Sequence, residues 1–141
     1  MHTQITIHDP VEALLASELA ARSDIKAERI KRLLALPDLS KKENSPVKIL
    51  FDTIMELPRF RDFDVVDFPR IVSVGDNFDL LATPSDHPSR KETDTYYINE
   101  NHILRTQTTT FWSFYLRDAD VLKKLEAHGQ IAALAPGIVF R

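Results

Sequence analysis

The sequence contains no cysteine and only three glycines in 141 residues. The absence of cysteine excludes disulfide scaffolds, zinc sites with thiolate ligands and cysteine nucleophiles. Neither common glycine-rich phosphate loop can be formed with these glycines, which excludes P-loop and Rossmann chemistry. The chain also lacks a basic excess, because 21 acidic residues oppose 18 basic ones. We therefore do not expect it to bind nucleic acid through bulk charge.

Long apolar runs are missing as well. No segment approaches the roughly 20 residues that a membrane-spanning helix needs. The first ten residues lack the basic start and apolar centre of a signal peptide. We therefore expect no membrane association, and nothing in these residues directs export. The hydrophobic fraction of 43% and the charged fraction of 28% are typical of a folded domain.

Helical patterns occupy the first third of the chain. Asp9, Pro10 and Glu12 have the spacing of a capped helix start. Ser23 is the predicted cap of a second helix, and Ser45 that of a third. Apolar spacing predicts a buried side of the third helix that consists of Val47, Leu50, Phe51, Ile54 and Met55.

Beyond Pro58 the pattern changes to short runs typical of strands. We predict strands at residues 63–68, 94–98, 102–106, 131–134 and 137–140, and short helices at 111–116 and 120–127. Helices followed by antiparallel strands with flanking helices predict an α+β fold. The last strand pattern reaches the end of the chain, where its backbone groups have no obvious neighbour. We therefore interpret the sequence as the N-terminal part of a longer protein.

Several short segments carry a resemblance through their order and spacing. They are residues 77–81 (NFDLL), 83–84 (TP), 86–90 (DHPSR), 94–97 (DTYY), 104–106 (LRT) and 136–141 (PGIVFR). Together they resemble the α subunit of phenylalanyl-tRNA synthetase, a class II aminoacyl-tRNA synthetase. The resemblance implies that residues 37–141 are the N-terminal part of the catalytic domain, with part of its antiparallel sheet, and that they end in the second class II motif. Residues 1–36 are then a helical extension, whose removal we expect to leave amino acid activation intact.

The resemblance implies the activity of a phenylalanine–tRNA ligase. Such an enzyme activates phenylalanine with ATP and Mg²⁺ and transfers it to tRNA(Phe), in an α2β2 assembly with a β subunit. The third class II motif and the phenylalanine side-chain pocket have no counterpart in residues 1–141, so we expect this fragment alone to be inactive. Two alternatives remain open at this stage. One is another class II ligase, such as a phosphoserine–tRNA ligase, and the other is a non-catalytic synthetase-like binding module.

Arg141 is the principal candidate site residue. By residue type alone, it is typical of a solvated surface arginine. The resemblance implies instead that its guanidinium binds the α-phosphate of ATP and acts in catalysis. In a strand, Phe140 would point inward and Arg141 outward, towards a ligand.

The resemblance also implies that Gln107, Thr109 and Tyr97 bind the amino acid substrate. Gln107 and Thr109 retain hydrogen-bonding groups, although the same residues could simply cap a helix. The ring of Tyr97 could attract the substrate's ammonium group or could be part of the core.

Two further groups of polar residues have less definite roles. Around residues 86–90, Arg90 and His87 are candidate structural anchors or weak contacts to the tRNA end. No known ligand spacing relates the histidines and acids of this region, so we predict no protein-built metal site. The bases of the second helix form an edge that could meet RNA phosphates or face solvent. They are Lys26, Arg29, Lys31 and Arg32.

Overall fold

The protein is described from a computed structural model, which places residues 2–141. In chain order its elements are β1 (Gln4–Thr6), α1 (Pro10–Ala21), α2 (Ile25–Leu34), α3 (Pro46–Glu56), β2 (Asp64–Asp67), β3 (Ile71–Ser73), α4 (Val74–Asn77), β4 (Tyr97–Asn99), β5 (His102–Leu104), α5 (Phe111–Tyr115), α6 (Ala119–His128) and β6 (Ala133–Leu134). This mixture of helices and short strands confirms the α+β class. In the described part of the chain, every helix is too short or too polar to cross a membrane.

The described residues form two compact units whose segments alternate along the chain. The first unit contains the residues up to Ile7 together with Pro37–Phe68 and Phe111–Ile138. The second contains His8–Leu36, Pro69–Thr110 and Val139–Arg141. Helices α1 and α2 therefore fold together with segments of the predicted catalytic domain, while a domain boundary after residue 36 stays a prediction.

The first unit is built on a parallel sheet with the strand order β1-β2-β6. Val65 of the central strand pairs with Gln4 on one side and Leu134 on the other. The expectation of antiparallel strands throughout is therefore wrong for this unit, and β1 was not predicted. Both edge strands have only two or three residues. Their pairing depends on hydrogen bonds to β2, which lies far away in sequence, so their local pattern is weak.

A buried polar group links the central strand of this sheet, β2, to two helices. Asp64, at the start of β2, is 1% exposed. It accepts the Tyr115 hydroxyl at 2.5 Å and the Lys124 ammonium at 2.8 Å. Burial, together with the neighbouring Asp64 carboxylate, raises the pKa of Tyr115, so the phenol remains a proton donor. Phe111 and Phe114 of α5 are also buried.

The second unit is built on an antiparallel sheet with the order β3-β5-β4. Ile71 pairs with Leu104, and Tyr97 pairs with Ile103. This sheet confirms the antiparallel arrangement predicted for the middle of the chain. Leu104 and Ile103 are completely buried. The sheet core thereby fixes the ends of β4 and β5, which lead into the candidate site.

Helix α1 is attached to the start of β3 through one carboxylate. Oε2 of Glu12 accepts the backbone N–H of Arg70 at 2.5 Å and that of Ile71 at 2.9 Å. On the same helix, Leu15 and Leu19 are buried. Residues 8–36 thus contribute both hydrogen bonds and apolar core to the second unit.

Helix α3 differs from its prediction in which residues it buries. Of the apolar residues assigned to its buried side, Met55 is buried, whereas Val47 is 46% and Leu50 62% exposed. Phe51 and Ile54 are half-buried. Helical spacing correctly places these residues near one another. It does not determine whether another element covers them.

Two local predictions are corrected by hydrogen bonding. Helix α2 is capped by Asp24, whose carboxylate accepts the N–H of Ala27 at 3.0 Å, and not by Ser23. Residues 137–140 do not form a strand. The N–H of Phe140 donates to Arg105 O at 3.0 Å, but a single bond of this kind does not make a ladder. An alternating sequence pattern alone does not determine whether a segment pairs with another strand.

Candidate active site

Arg141 lies on the exposed side of the segment that ends the chain. Its Nε donates to the backbone oxygen of Thr106 at 3.2 Å. The preceding Phe140 is only 3% exposed. The predicted alternation, with Phe140 inward and Arg141 outward, is therefore confirmed even though the predicted strand is not. Arg141 is exposed, and it lines clefts together with Gln107 and Tyr97.

A cleft of about 680 Å³ opens beside Arg141 and Gln107. Both side chains line it, so the structure brings together two of the four predicted site residues. The remaining lining residues come from the loop that begins at Phe78, from the segment before β4 and from the residues after β5. They are Phe78, Ala82, Thr83, Pro84, His87, Ser89, Thr93, Asp94, Thr95 and Thr106.

Gln107 and Thr109 occupy different positions despite their proximity in sequence. Gln107 is half-buried, and its Nε2 donates to the backbone oxygen of Asn77 at 3.4 Å. Thr109 is exposed within the 3₁₀ turn Thr108–Thr110. It does not line the cleft beside Gln107. The turn begins directly after Gln107 and places Thr109 outside the cleft. The sequence motif alone does not show this difference.

Tyr97 lines a second cleft, of about 380 Å³, which it shares with Arg141. Its hydroxyl donates to the backbone oxygen of Arg90 at 2.5 Å. Burial raises the pKa of Tyr97, so this phenol remains protonated. Thr93, Asp94 and Thr95 also line both clefts. Arg141 is thus the predicted site residue common to the two.

Helix α2 forms one wall of the second cleft, a feature that the sequence did not predict. Lys26 and Arg29 both line it. The Lys26 ammonium lies 3.2 Å from a carboxylate oxygen of Glu92, and the Arg29 guanidinium lies 5.5 Å from the ring centre of Tyr96. The basic edge of α2 is therefore partly engaged within the unit. The sequence shows the basic residues of α2. It does not show the partners of Lys26 and Arg29, because these lie more than 60 residues away.

The loop beside the first cleft is held by Arg90. Its Nη2 lies 2.5 Å from a carboxylate oxygen of Asp79, and its Nε donates to Pro84 O at 2.9 Å. The guanidinium also lies 5.0 Å from the ring centre of Phe78. These contacts support the predicted role of Arg90 as a structural anchor. Nearby, Nδ1 of His87 accepts the N–H of Ser89, which holds the following turn.

The described residues do not provide a ready-made metal site. Within residues 2–141, no group of three His, Cys, Asp or Glu side chains is arranged to hold an ion. The Mg²⁺ that the resemblance implies therefore does not fit a protein-built site here. Mg²⁺ is commonly bound through substrate phosphate oxygens and water, with only one or two protein carboxylates.

Comparison with known proteins shows one family and several proteins to which this chain is similar. The family model described as "tRNA synthetases class II core domain (F)" matches residues 30–141. The mitochondrial phenylalanine–tRNA ligase of Saccharomyces cerevisiae is 46% identical over 71 residues, which are 48% of this chain and 15% of that protein. The phenylalanine–tRNA ligase α subunit of Fusobacterium nucleatum is 42% identical over 79 residues, 56% of this chain and 21% of its own length.

The α subunit of Thermotoga neapolitana phenylalanine–tRNA ligase is 30% identical over 141 residues, covering 96% of this chain. The alignment covers 41% of that subunit, so this chain spans less than half the length of the curated relatives described here. The family match includes Tyr97, Gln107 and Arg141 and leaves out α1. With a matched region that spans most of its residues, this chain belongs to the class II tRNA synthetase core domain family.

Proposed function

We propose that this chain is part of the α chain of a phenylalanine–tRNA ligase. The activity is the ATP-dependent conversion of phenylalanine to its adenylate, followed by transfer to tRNA(Phe). The observation that carries the proposal is the placement of Arg141 and Gln107 on one cleft within the region matched to the family. One side chain is suited to a phosphate and the other to an amino acid.

The chemistry requires charge stabilisation more than proton transfer. An oxygen of the phenylalanine carboxylate attacks the α-phosphorus of ATP, and pyrophosphate leaves with the electrons of the broken bond. Negative charge increases on the non-bridging oxygens during this step. Arg141 offers several fixed N–H donors to those oxygens. The carboxylate is already a nucleophile, so positioning is sufficient and no protein base is needed.

The amino acid is held by the other candidates. The Gln107 amide has both a donor and an acceptor for the ammonium or carboxylate of phenylalanine. The Tyr97 ring offers a cation–π contact of about 0.5–2 kcal/mol to the ammonium. We keep Thr109 as a weaker proposal, because its hydroxyl would have to reach the substrate from outside the cleft lining.

The proposal includes the assembly and location of the enzyme. Relatives named as α subunits support a β-subunit partner in an α2β2 assembly and tRNA(Phe) as the acceptor. ATP enters as a substrate accompanied by Mg²⁺, and the enzyme acts in the cytoplasm. Purification of the gene product that contains this chain, with a tagged β subunit, tests the assembly. Failure of the two to co-purify would contradict it.

The activity is tested by amino-acid-dependent ATP–pyrophosphate exchange with the same purified gene product. We expect exchange with phenylalanine, and replacement Arg141→Ala should lower it about 10²–10³-fold, the usual cost of one transition-state donor. Arg61→Ala is the matched control, because Arg61 is an exposed arginine outside both clefts. Equal exchange by both variants would remove Arg141 from the site.

The same assay separates the alternatives. Exchange with phosphoserine in place of phenylalanine would indicate another class II ligase. Absence of exchange with any amino acid, by a folded protein, would favour a non-catalytic binding module.

A further inference from the structure

Asn77, at the end of α4, has an unusually complete set of contacts for a buried amide. Its exposure is 0%. Oδ1 accepts the N–H of Thr106 at 3.2 Å and the hydroxyl of Thr110 at 3.0 Å. Nδ2 donates to Oγ1 of Thr106 at 2.9 Å. The side chain is therefore bound to residues on both sides of Gln107.

Gln107 itself completes the arrangement. Its Nε2 donates to the backbone oxygen of Asn77 at 3.4 Å. Asn77 thus contacts the residue before Gln107, a residue shortly after it, and the Gln107 side chain. The segment around Gln107 is held at both ends and so has few alternative conformations. A buried amide without hydrogen-bond partners would lower the free energy of unfolding. The contacts of Asn77 therefore restrict where the Gln107 amide can lie.

The same contacts extend to Arg141 through Thr106. Thr106 binds Asn77 by its backbone N–H and its hydroxyl, and its backbone oxygen accepts Nε of Arg141 at 3.2 Å. Asn77 is in this way connected to both proposed substrate contacts on the first cleft. Its backbone oxygen contacts the Gln107 amide, and its side chain reaches Arg141 through Thr106. The sequence offered only the segment at 77–81, with no indication of its partners.

We propose that Asn77 is a positioning residue that sets the Gln107 amide and the Arg141 guanidinium relative to each other. This inference rests on the proposed function, and Asn77 acts through its neighbours without touching substrate. A displacement of about 1 Å at a reacting group can cost on the order of 100-fold in rate. Loss of the amide therefore reduces catalysis beyond any effect on folding.

The test is a double-mutant cycle in phenylalanine-dependent pyrophosphate exchange. We expect Asn77→Ala to lower kcat/KM for phenylalanine by about 100-fold, through a lower kcat from the displaced Arg141 and a higher KM from the displaced Gln107. In that background, Gln107→Ala should have less than about a twofold further effect, because the amide is already misplaced. A cost of Gln107→Ala that is equal in the two backgrounds would overturn the inference.

Two further variants keep the result decisive. Val72→Ala removes buried volume from β3 in the same unit, and it should lower thermal stability without raising KM for phenylalanine. If Asn77→Ala fails to fold, Thr110→Val removes one hydrogen bond at nearly constant volume and should raise KM about tenfold. An unchanged KM in Thr110→Val would then reject the positioning role. A folded wild-type protein without phenylalanine-dependent exchange would reject the proposed function itself.

Discussion

Replacement of Glu12 by alanine tests whether α1 is part of the catalytic unit or a separable extension. The Glu12 carboxylate is the acceptor for the backbone N–H groups of Arg70 and Ile71 at the start of β3. Ile71 is 3% exposed. Alanine would leave both donors without their acceptor at a partly buried position. The substitution therefore acts on the sheet of the second unit and not only on the helix.

The magnitude follows from the two amide groups. A buried donor without a partner costs about 1–3 kcal/mol, and partial burial favours the lower half of that range. We expect Glu12→Ala to reduce the free energy of unfolding by about 2–4 kcal/mol. Urea m-values for small proteins are about 1–3 kcal/mol per molar. The urea midpoint should therefore fall by about 1–2 M.

The assay is urea denaturation followed by circular dichroism. Glu18→Ala is the control, since Glu18 is an exposed residue of the same helix and should change stability by less than about 0.5 kcal/mol. Equal midpoints for the two variants would refute the role of Glu12.

Deletion of residues 1–36 should likewise abolish pyrophosphate exchange in the gene product. Retained exchange would contradict this expectation and agree with the sequence-based prediction that residues 1–36 are dispensable for activation.

Two further predictions concern stability. Tyr115→Phe removes the hydroxyl bound to buried Asp64 and should cost about 1.5–3 kcal/mol; a urea midpoint equal to that of Tyr96→Phe would contradict it. The hydrogen bond from Arg22 lowers the pKa of Asp24 from 3.8 to about 2. The stabilisation of the folded protein by ionised Asp24 is therefore present above pH 4 and is lost as the pH falls towards 2. Asp24→Asn should flatten stability over that interval, and an unchanged pH profile would exclude this contribution.

Local chemistry made the first helix predictable. Asp9 accepts the N–H of Val11 at 2.9 Å, and Pro10 occupies the first turn, so the start of α1 is determined by neighbours in sequence. The stop of α6 at Gly129 is predictable for the same reason, because its φ of 71° suits glycine. Such features need no knowledge of the rest of the fold.

The strands show where this approach fails. Three-residue β1 escaped prediction because its hydrogen bonds come from β2, about 60 residues later. Residues 137–140 have a strand-like alternation but do not form a strand. The exposure of Val47 and Leu50 on α3 depends likewise on what lies above that helix. Pairing and burial are properties of distant segments, which periodicity does not report.

For the candidate site, sequence alone determined the family resemblance, the residue types, and the inward and outward directions of Phe140 and Arg141. Only the tertiary structure placed Gln107 and Arg141 on a common cleft, put Tyr97 in a neighbouring one and left Thr109 outside. It alone revealed Asn77, whose partners lie about 30 residues away. Residue type sets what a side chain can bind, whereas the folding of distant segments against one another decides which side chains share a site.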